Sequence, residues 1–279
     1  MSRVIALNGD LAGGKTTVGK MLAAHFGVEL VTMGVVQRQI AAERGITTLE
    51  LNQLSESDPA IDRLIDGTVG ELGESGRSLV MDSRLSWHFI PRAFKVHLIV
   101  DGVVAAERAI NRQAGGTESY GTATEAIEKL AARRASERER FLTKYGVDLD
   151  RLKNYDAVVD TTSASPEEVV SAIIMCLDED RADPKPYLLL DPKRLVPEET
   201  LLEIGGDEPT EVSRNVESVM ADELVGVGRL GAMFFVLEGR ESVIRAIQSG
   251  RSLIACHLVE ELEEMKGRVN NNVTPTLAV

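Results

Sequence analysis

The chain has 279 residues, 43% of them hydrophobic, which is apolar material enough for one large domain or two smaller ones. Its formal charge of −13 opposes a nucleic-acid partner held through general phosphate attraction, so basic side chains must act locally. Cys176 and Cys256 lie far apart with no CxxC pair, and neither a leader pattern nor a run of membrane-spanning length occurs, which predicts a cytoplasmic protein with buried free thiols and no membrane association.

Residues 3–8 read as a short strand around Val4, Ile5 and Leu7, and from Thr16 onward Val18, Met21, Leu22 and Phe26 recur at helical spacing. Between them lies GDLAGGKT, with glycine at its first and sixth positions, then lysine and threonine. This is a P-loop. Its candidate nucleotide-binding set is Gly9, Leu11, Ala12, Gly13, Gly14, Lys15, Thr16 and Thr17. Backbone N–H groups turn inward around an anion, the Lys15 ammonium lies beside the outer phosphates, and the Thr16 hydroxyl is offered to Mg2+. The dipole of the helix beyond the loop adds to the attraction.

Further strands are expected within VELVTM, SLVMD, KVHLIVD and DAVVD, alternating with longer helical patterns, the rhythm of an α/β fold with a parallel sheet covered by helices. Thr47 with Glu50 and Thr122 with Glu125 have capping-box spacing, and Ser165-Pro166-Glu167-Glu168 predicts a helix over 167–178. Around DEDRADPKP the apolar periodicity stops. A linker at 181–186 is expected to separate a first domain (1–180) from a smaller α/β module (187–268), with a flexible tail at 269–279. Within the module, strands are expected at 187–190, 233–237 and 252–259, with a helix after Gly239. His25, His88, His97 and His257 show no ligand spacing, so no transition-metal site is assigned.

Beyond the P-loop, the stretches VTMGVVQRQIAAERG, DPAIDRLID, MDSRLSW, ERAINRQ, RRASERERF and YGVDLDRLKNYDAVVDTTSASPEEV carry a family likeness. Over nearly all of residues 1–177 the chain resembles a nucleoside monophosphate kinase, most closely the short, archaeal-type cytidylate kinases. The resemblance implies a P-loop kinase with a parallel sheet and a mobile lid, ATP and Mg2+ as cofactors, and a small phosphate acceptor, CMP or dCMP first. The chain departs from the family at Gly67-Thr68-Val69, where a polar continuation is usual, at Val35, where an acid is usual, and at DSRL in place of EGRL. These departures fall in the acceptor region and leave the acceptor less fixed than the donor.

Phosphoryl transfer between two polyanions requires that charge be neutralised and water excluded. By resemblance, Arg38, after the turn Thr32-Met33-Gly34, reaches the acceptor's phosphate, and Arg84, just past the strand end at Asp82, is a second guanidinium fork on that anion. Arg108 and Arg112 share one helical face, with Arg108 on the ATP side; 115–121 leads into the helix where Arg133 and Arg140 match family arginines. Lys15, Arg84, Arg112, Arg133, Arg140 and Asp82 form the expected catalytic set. Arg134 and Arg138 read either as site groups or as solvated partners of nearby glutamates. Asp82 supports Mg2+ with Thr16 or caps a turn; Asp160 lies near the nucleotide or merely ends its strand.

The stretches YLLLDPKRLVPEE and FFVLEGRESVIRAIQSGRSLIACHLVEE look weakly like ParB-like modules, in which Gly239 and Arg240 would hold an anion; a structural appendage or a dimer surface accounts for them equally. Two other readings of the whole chain stay open. One is the same engine acting on a modified nucleotide or a small hydroxylated metabolite, with Asp82 as base. The other is a nucleotide-dependent switch with weak catalysis.

Overall fold

Strand β1 (Val4–Gly9) is buried along its whole length, Val4 and Ala6 facing one apolar layer and Ile5 and Leu7 the other. Two-sided burial is what a strand inside a parallel sheet requires, and it accounts for the unbroken apolar run. The structure, a computed structural model, describes residues 3–46, 50–51, 59–111, 120–178, 186–200 and 224–261. The expected linker up to residue 185, the tail, Thr47 of one capping box, and Arg112 with the segment to residue 119 lie outside the described residues.

From β1 the chain passes through α1 (Lys15–Phe26), β2 (Glu29–Thr32), α2 (Met33–Glu43), α3 (Pro59–Glu74), β3 (Leu79–Asp82) and the short α4 (Ser86–Phe89). It continues through β4 (Phe94–Ile99), α5 (Gly102–Asn111), α6 (Ala123–Tyr145), β5 (Ala157–Asp160) and α7 (Pro166–Asp178). The five strands pair in parallel in the order β2-β3-β1-β4-β5. Helices α1 and α7 cover one face through Val18, Leu22, Val169 and Ile173. On the other face α2 contributes Val36 and Ile40, α4 contributes Trp87 and α6 contributes Phe141. No described helix is long and apolar enough to cross a membrane.

The strands expected in a separate module continue this sheet. β6 (Tyr187–Leu190) pairs in parallel with β5, Val158 opposite Leu188, and antiparallel with β10 (Ile254–Glu261). Outward from β10 come β8 (Val225–Leu230), β9 (Met233–Glu238) and β7 (Leu195–Pro197), completing a ten-stranded sheet. Helix α8 (Arg240–Gln248) packs Val243 and Ala246 onto the same apolar layer as α2 and α4, a layer that also takes in Val158, Leu188 and Val225.

Strands β7 and β8 were not expected. β8 reads as VGVGRL, and two glycines in six residues signal a turn rather than a strand. Its burial between two neighbours overrides that signal. A Cβ on Gly226 would lie 2.9 Å from the Cβ of Glu238, so the glycine is the condition for the close approach of β9 at a register shift.

Candidate functional site

The P-loop turns between the end of β1 and the start of α1. Gly9, at φ 148°, passes so close to β4 that a Cβ would fall 2.3 Å from the carbonyl oxygen of Leu98. Gly14 caps α1 at φ 82° without a side-chain acceptor, which leaves the first-turn N–H groups of the helix directed at the loop. Lys15 folds over the turn, its Nζ donating to the carbonyls of Gly9 at 2.9 Å and Asp10 at 2.8 Å. Burial, reinforced by the nearby Arg84 guanidinium, pushes its pKa down to about 8.

Parallel pairing places the end of β3 beside that of β1, and it brings the Thr16 hydroxyl to within 2.7 Å of Asp82 Oδ2, to which it donates. Two hard oxygen donors side by side are the kind of partial set that Mg2+ takes when phosphate oxygens and water complete the shell. Arg84 comes two residues after Asp82 and donates to the Gly9 carbonyl at 2.5 Å. Burial lowers its pKa, against the opposing pull of Glu137.

Helix α6 closes the site from above. Its residues 133, 134, 137 and 138 share one face by their spacing. Glu137 bridges two of the expected arginines, accepting from Arg133 Nε and lying 3.2 Å from Arg84 Nη2. Arg134 pairs with Asp10 of the P-loop at 2.6 Å and with Asp150 at 2.8 Å. Arg138 makes two bonds of 2.9 Å to Asp148. Burial works against the Arg134 charge, but Asp10 and Asp150 outweigh it and raise its pKa. Burial also raises the pKa of Asp10, although Arg134 and the Val100 N–H favour its anion.

Arg134, Glu137 and Asp10 were not singled out from the sequence as a set. One signal was there: an acid at the second position of a phosphate-binding loop needs a cation of its own. Beneath them, Asn8, His97 and Tyr155 form a buried polar floor. Asn8 Nδ2 donates to the Tyr155 hydroxyl at 2.7 Å, and that hydroxyl donates to the Leu149 carbonyl. His97 stacks on the Tyr155 ring and is kept neutral by burial, its pKa down to about 3.

The remaining expected residues fall at three places. Among the residues expected to seat the acceptor, the Thr32 hydroxyl caps α2 and the Arg38 guanidinium passes over Gly34, where a Cβ would approach Nη1 to 3.4 Å. In the same region Val69, one of the departures from the family, is buried in the core, while Asp66 accepts from the Tyr145 hydroxyl of α6 at 2.8 Å. Arg140 is exposed, with its guanidinium over the Phe141 ring, away from the P-loop contacts of its neighbours on α6. On the far side of the P-loop, Arg108 of α5 donates to the carbonyls of Thr161 at 2.5 Å and Thr162 at 3.3 Å, in the loop after β5. Asp160 is buried beneath that loop against Arg194. In the C-terminal part, Gly239 caps α8 at φ 80° and Arg240 pairs with Glu199.

A sequence model of the Cytidylate kinase-like family matches residues 4–163. A cytidylate kinase of Archaeoglobus fulgidus is 33% identical over 175 residues, 62% of this chain and 94% of that protein. An S-adenosylmethionine-dependent nucleotide dehydratase of Lacinutrix mariniflava is 37% identical over 175 residues, but the match spans only 36% of that longer protein. Among solved structures, an uncharacterized protein of Eubacterium ventriosum covers 64% of this chain and all of its own, with a TM-score of 0.51 and 14% identity, a likeness of fold alone. With the P-loop, the parallel strand order and the arginine-bearing helix already in place, a match over more than half of the chain means that it belongs to the cytidylate kinase-like family and is a kinase of the nucleoside monophosphate type.

Proposed function

We propose that this kinase moves the terminal phosphoryl group of ATP onto a nucleoside monophosphate, CMP or dCMP first, giving the diphosphate and ADP. The observation that carries the reading is the convergence of Lys15, Arg84 and the Thr16–Asp82 pair on one loop at the carboxyl ends of β1 and β3. The loop amides and Lys15 bind and orient the outer phosphates of the donor. Thr16 and Asp82 would hold Mg2+, which when bound neutralises charge on the donor phosphates. Arg84 and Arg133 are drawn together by Glu137 and form the positive wall through which the phosphoryl group passes. Thr32, Gly34 and Arg38 seat the acceptor's phosphate, and Arg108 with the loop after β5 borders the donor nucleoside. An acceptor phosphate is already anionic, so no general base is needed.

The test is ADP release measured over the common nucleoside monophosphates and their deoxy forms, with Lys15→Ala as the blank. Turnover with CMP or dCMP at least tenfold above the other nucleotides supports the reading; equal turnover with all of them overturns the specificity. A second reading, a modified nucleotide or small hydroxylated acceptor, is favoured by Val35, which stands where the family has an acid. It predicts ADP release with a metabolite extract and none with the common nucleotides.

A further inference from the structure

The loop after β5, which the proposed function places beside the donor nucleoside, is fastened from below by the C-terminal extension. Asp160 and Asp191 are both 1% exposed, one at the end of β5 and the other at the end of β6, the strand paired beside it. Arg194, in the turn after β6, places Nη1 2.5 Å from Asp160 Oδ2 and 3.2 Å from the Thr162 hydroxyl. The Ser163 hydroxyl donates to Asp191 Oδ2. The Thr162 hydroxyl is thereby saturated. It donates to Asp160 Oδ1 at 2.6 Å, and it accepts from Arg194 and from the Asp101 N–H at 2.9 Å. One side chain thus joins the loop after β4, the loop after β5 and the C-terminal extension. The carbonyls of Thr161 and Thr162 in turn accept from Arg108.

We infer that Arg194 is a positioning residue for the donor nucleotide: through Asp160 and Thr162 it fixes the loop 161–163, and with it Arg108, so that the C-terminal extension sets the affinity for ATP without touching the transferred phosphate. Buried Asp160 accepts from both the N–H and the hydroxyl of Thr162, and Arg194, from a segment outside the kinase core, supplies the counter-charge that favours its anion. Because the contact is to the donor side, the effect falls on ATP and leaves the acceptor site, on the opposite side of β1, undisturbed. This rests on the assignment of the donor nucleoside to that loop.

The test compares wild type, Arg194→Met, Arg194→Lys and Ser163→Ala by calorimetric titration with a non-hydrolysable ATP analogue and by KM for ATP and for the acceptor. Arg194→Met is expected to weaken ATP about tenfold, with the acceptor KM and kcat within about twofold. Arg194→Lys, which keeps a cation beside Asp160, is expected to recover most of that loss, and Ser163→Ala to weaken ATP about threefold. Where Arg194→Met does not fold, the other two variants decide. ATP affinity unchanged in every folded variant, or weakened in step with acceptor affinity, overturns the inference while leaving the kinase reading intact. Wild type that binds no ATP analogue overturns both.

Discussion

Lys15 donates to two main-chain carbonyls, and its ammonium is held near pKa 8 by burial and by Arg84. A triphosphate in the loop supplies negative charge and raises that pKa, so binding takes up a proton wherever the free lysine is partly neutral. At pH 8 the uptake is about half a proton per ATP bound, and above it affinity falls by up to about tenfold per pH unit. The check is the dependence of the binding enthalpy on buffer ionisation enthalpy; Lys15→Met abolishes the uptake. Asp10, just ahead of the loop's glycine pair, has the opposite problem, a carboxylate whose folded pKa is raised by burial and answered by Arg134. Arg134→Met removes the counter-charge, and because Arg134 is 38% exposed the loss is about 2 kcal/mol rather than the value for a fully buried pair. The dependence on pH has a definite sign. An acid with a raised folded pKa binds its proton more tightly when folded, so stability falls as pH rises from the unfolded pKa through the folded one. The variant raises that pKa further, so its deficit in urea melts is expected to shrink as pH is lowered and Asp10 takes up its proton.

Helix α6 runs 23 residues and buries only Ala126 and Phe141 among its described positions, so it is held less by an apolar stripe than by ion pairs to the P-loop and to the segment 148–150. Helix α7 is the contrary case, with a strong apolar face and a complete capping box: Ser165 Oγ accepts from the Glu168 N–H at 3.2 Å, and Glu168 Oε2 accepts from the Ser165 N–H at 2.7 Å. Ser165→Ala is expected to cost about 1 kcal/mol, read as a fall of about 2 °C in Tm. These two helices mark what was legible. The box in α7 and the Thr122–Glu125 cap of α6 are written within four residues of sequence and read directly, as are the P-loop and the apolar strands beside it. The partners of Arg134 lie 16 residues away at Asp150 and more than a hundred away at Asp10, and only the fold brings them together. Arg194 was passed over for the same reason, since its partner Asp160 belongs to a strand that reads as part of another domain. β8 hid behind its glycines, which look like a turn until Gly226 is seen against Glu238.

At the scale of the molecule, the consequential pairing is β5 with β6. A strand meant to stand at a sheet edge carries a charge, a proline or a bulge to refuse partners. β5 carries none of these between Asp156 and Asp160: Ala157, Val158 and Val159 are fully buried and in regular parallel register with Tyr187, Leu188 and Leu189. The cytidylate kinase of Archaeoglobus fulgidus is matched over 94% of its length by 175 residues, so that protein has no room for most of the C-terminal extension of this chain. Here the extension covers that edge through β6. A chain ending at Asp178 therefore exposes an apolar edge and loses Arg194 at the same stroke. It is expected to associate with increasing concentration in sedimentation, and in its monomeric fraction to need about tenfold more ATP for half-maximal turnover, as Arg194→Met does. Weak ATP binding without association would confine the extension to the loop after β5; association with normal ATP binding would confine it to edge protection. A monomer with wild-type KM for ATP and an unchanged melt would mean that the sheet continuation serves neither, and that the buried pair of Asp160 and Arg194 is an accident of packing.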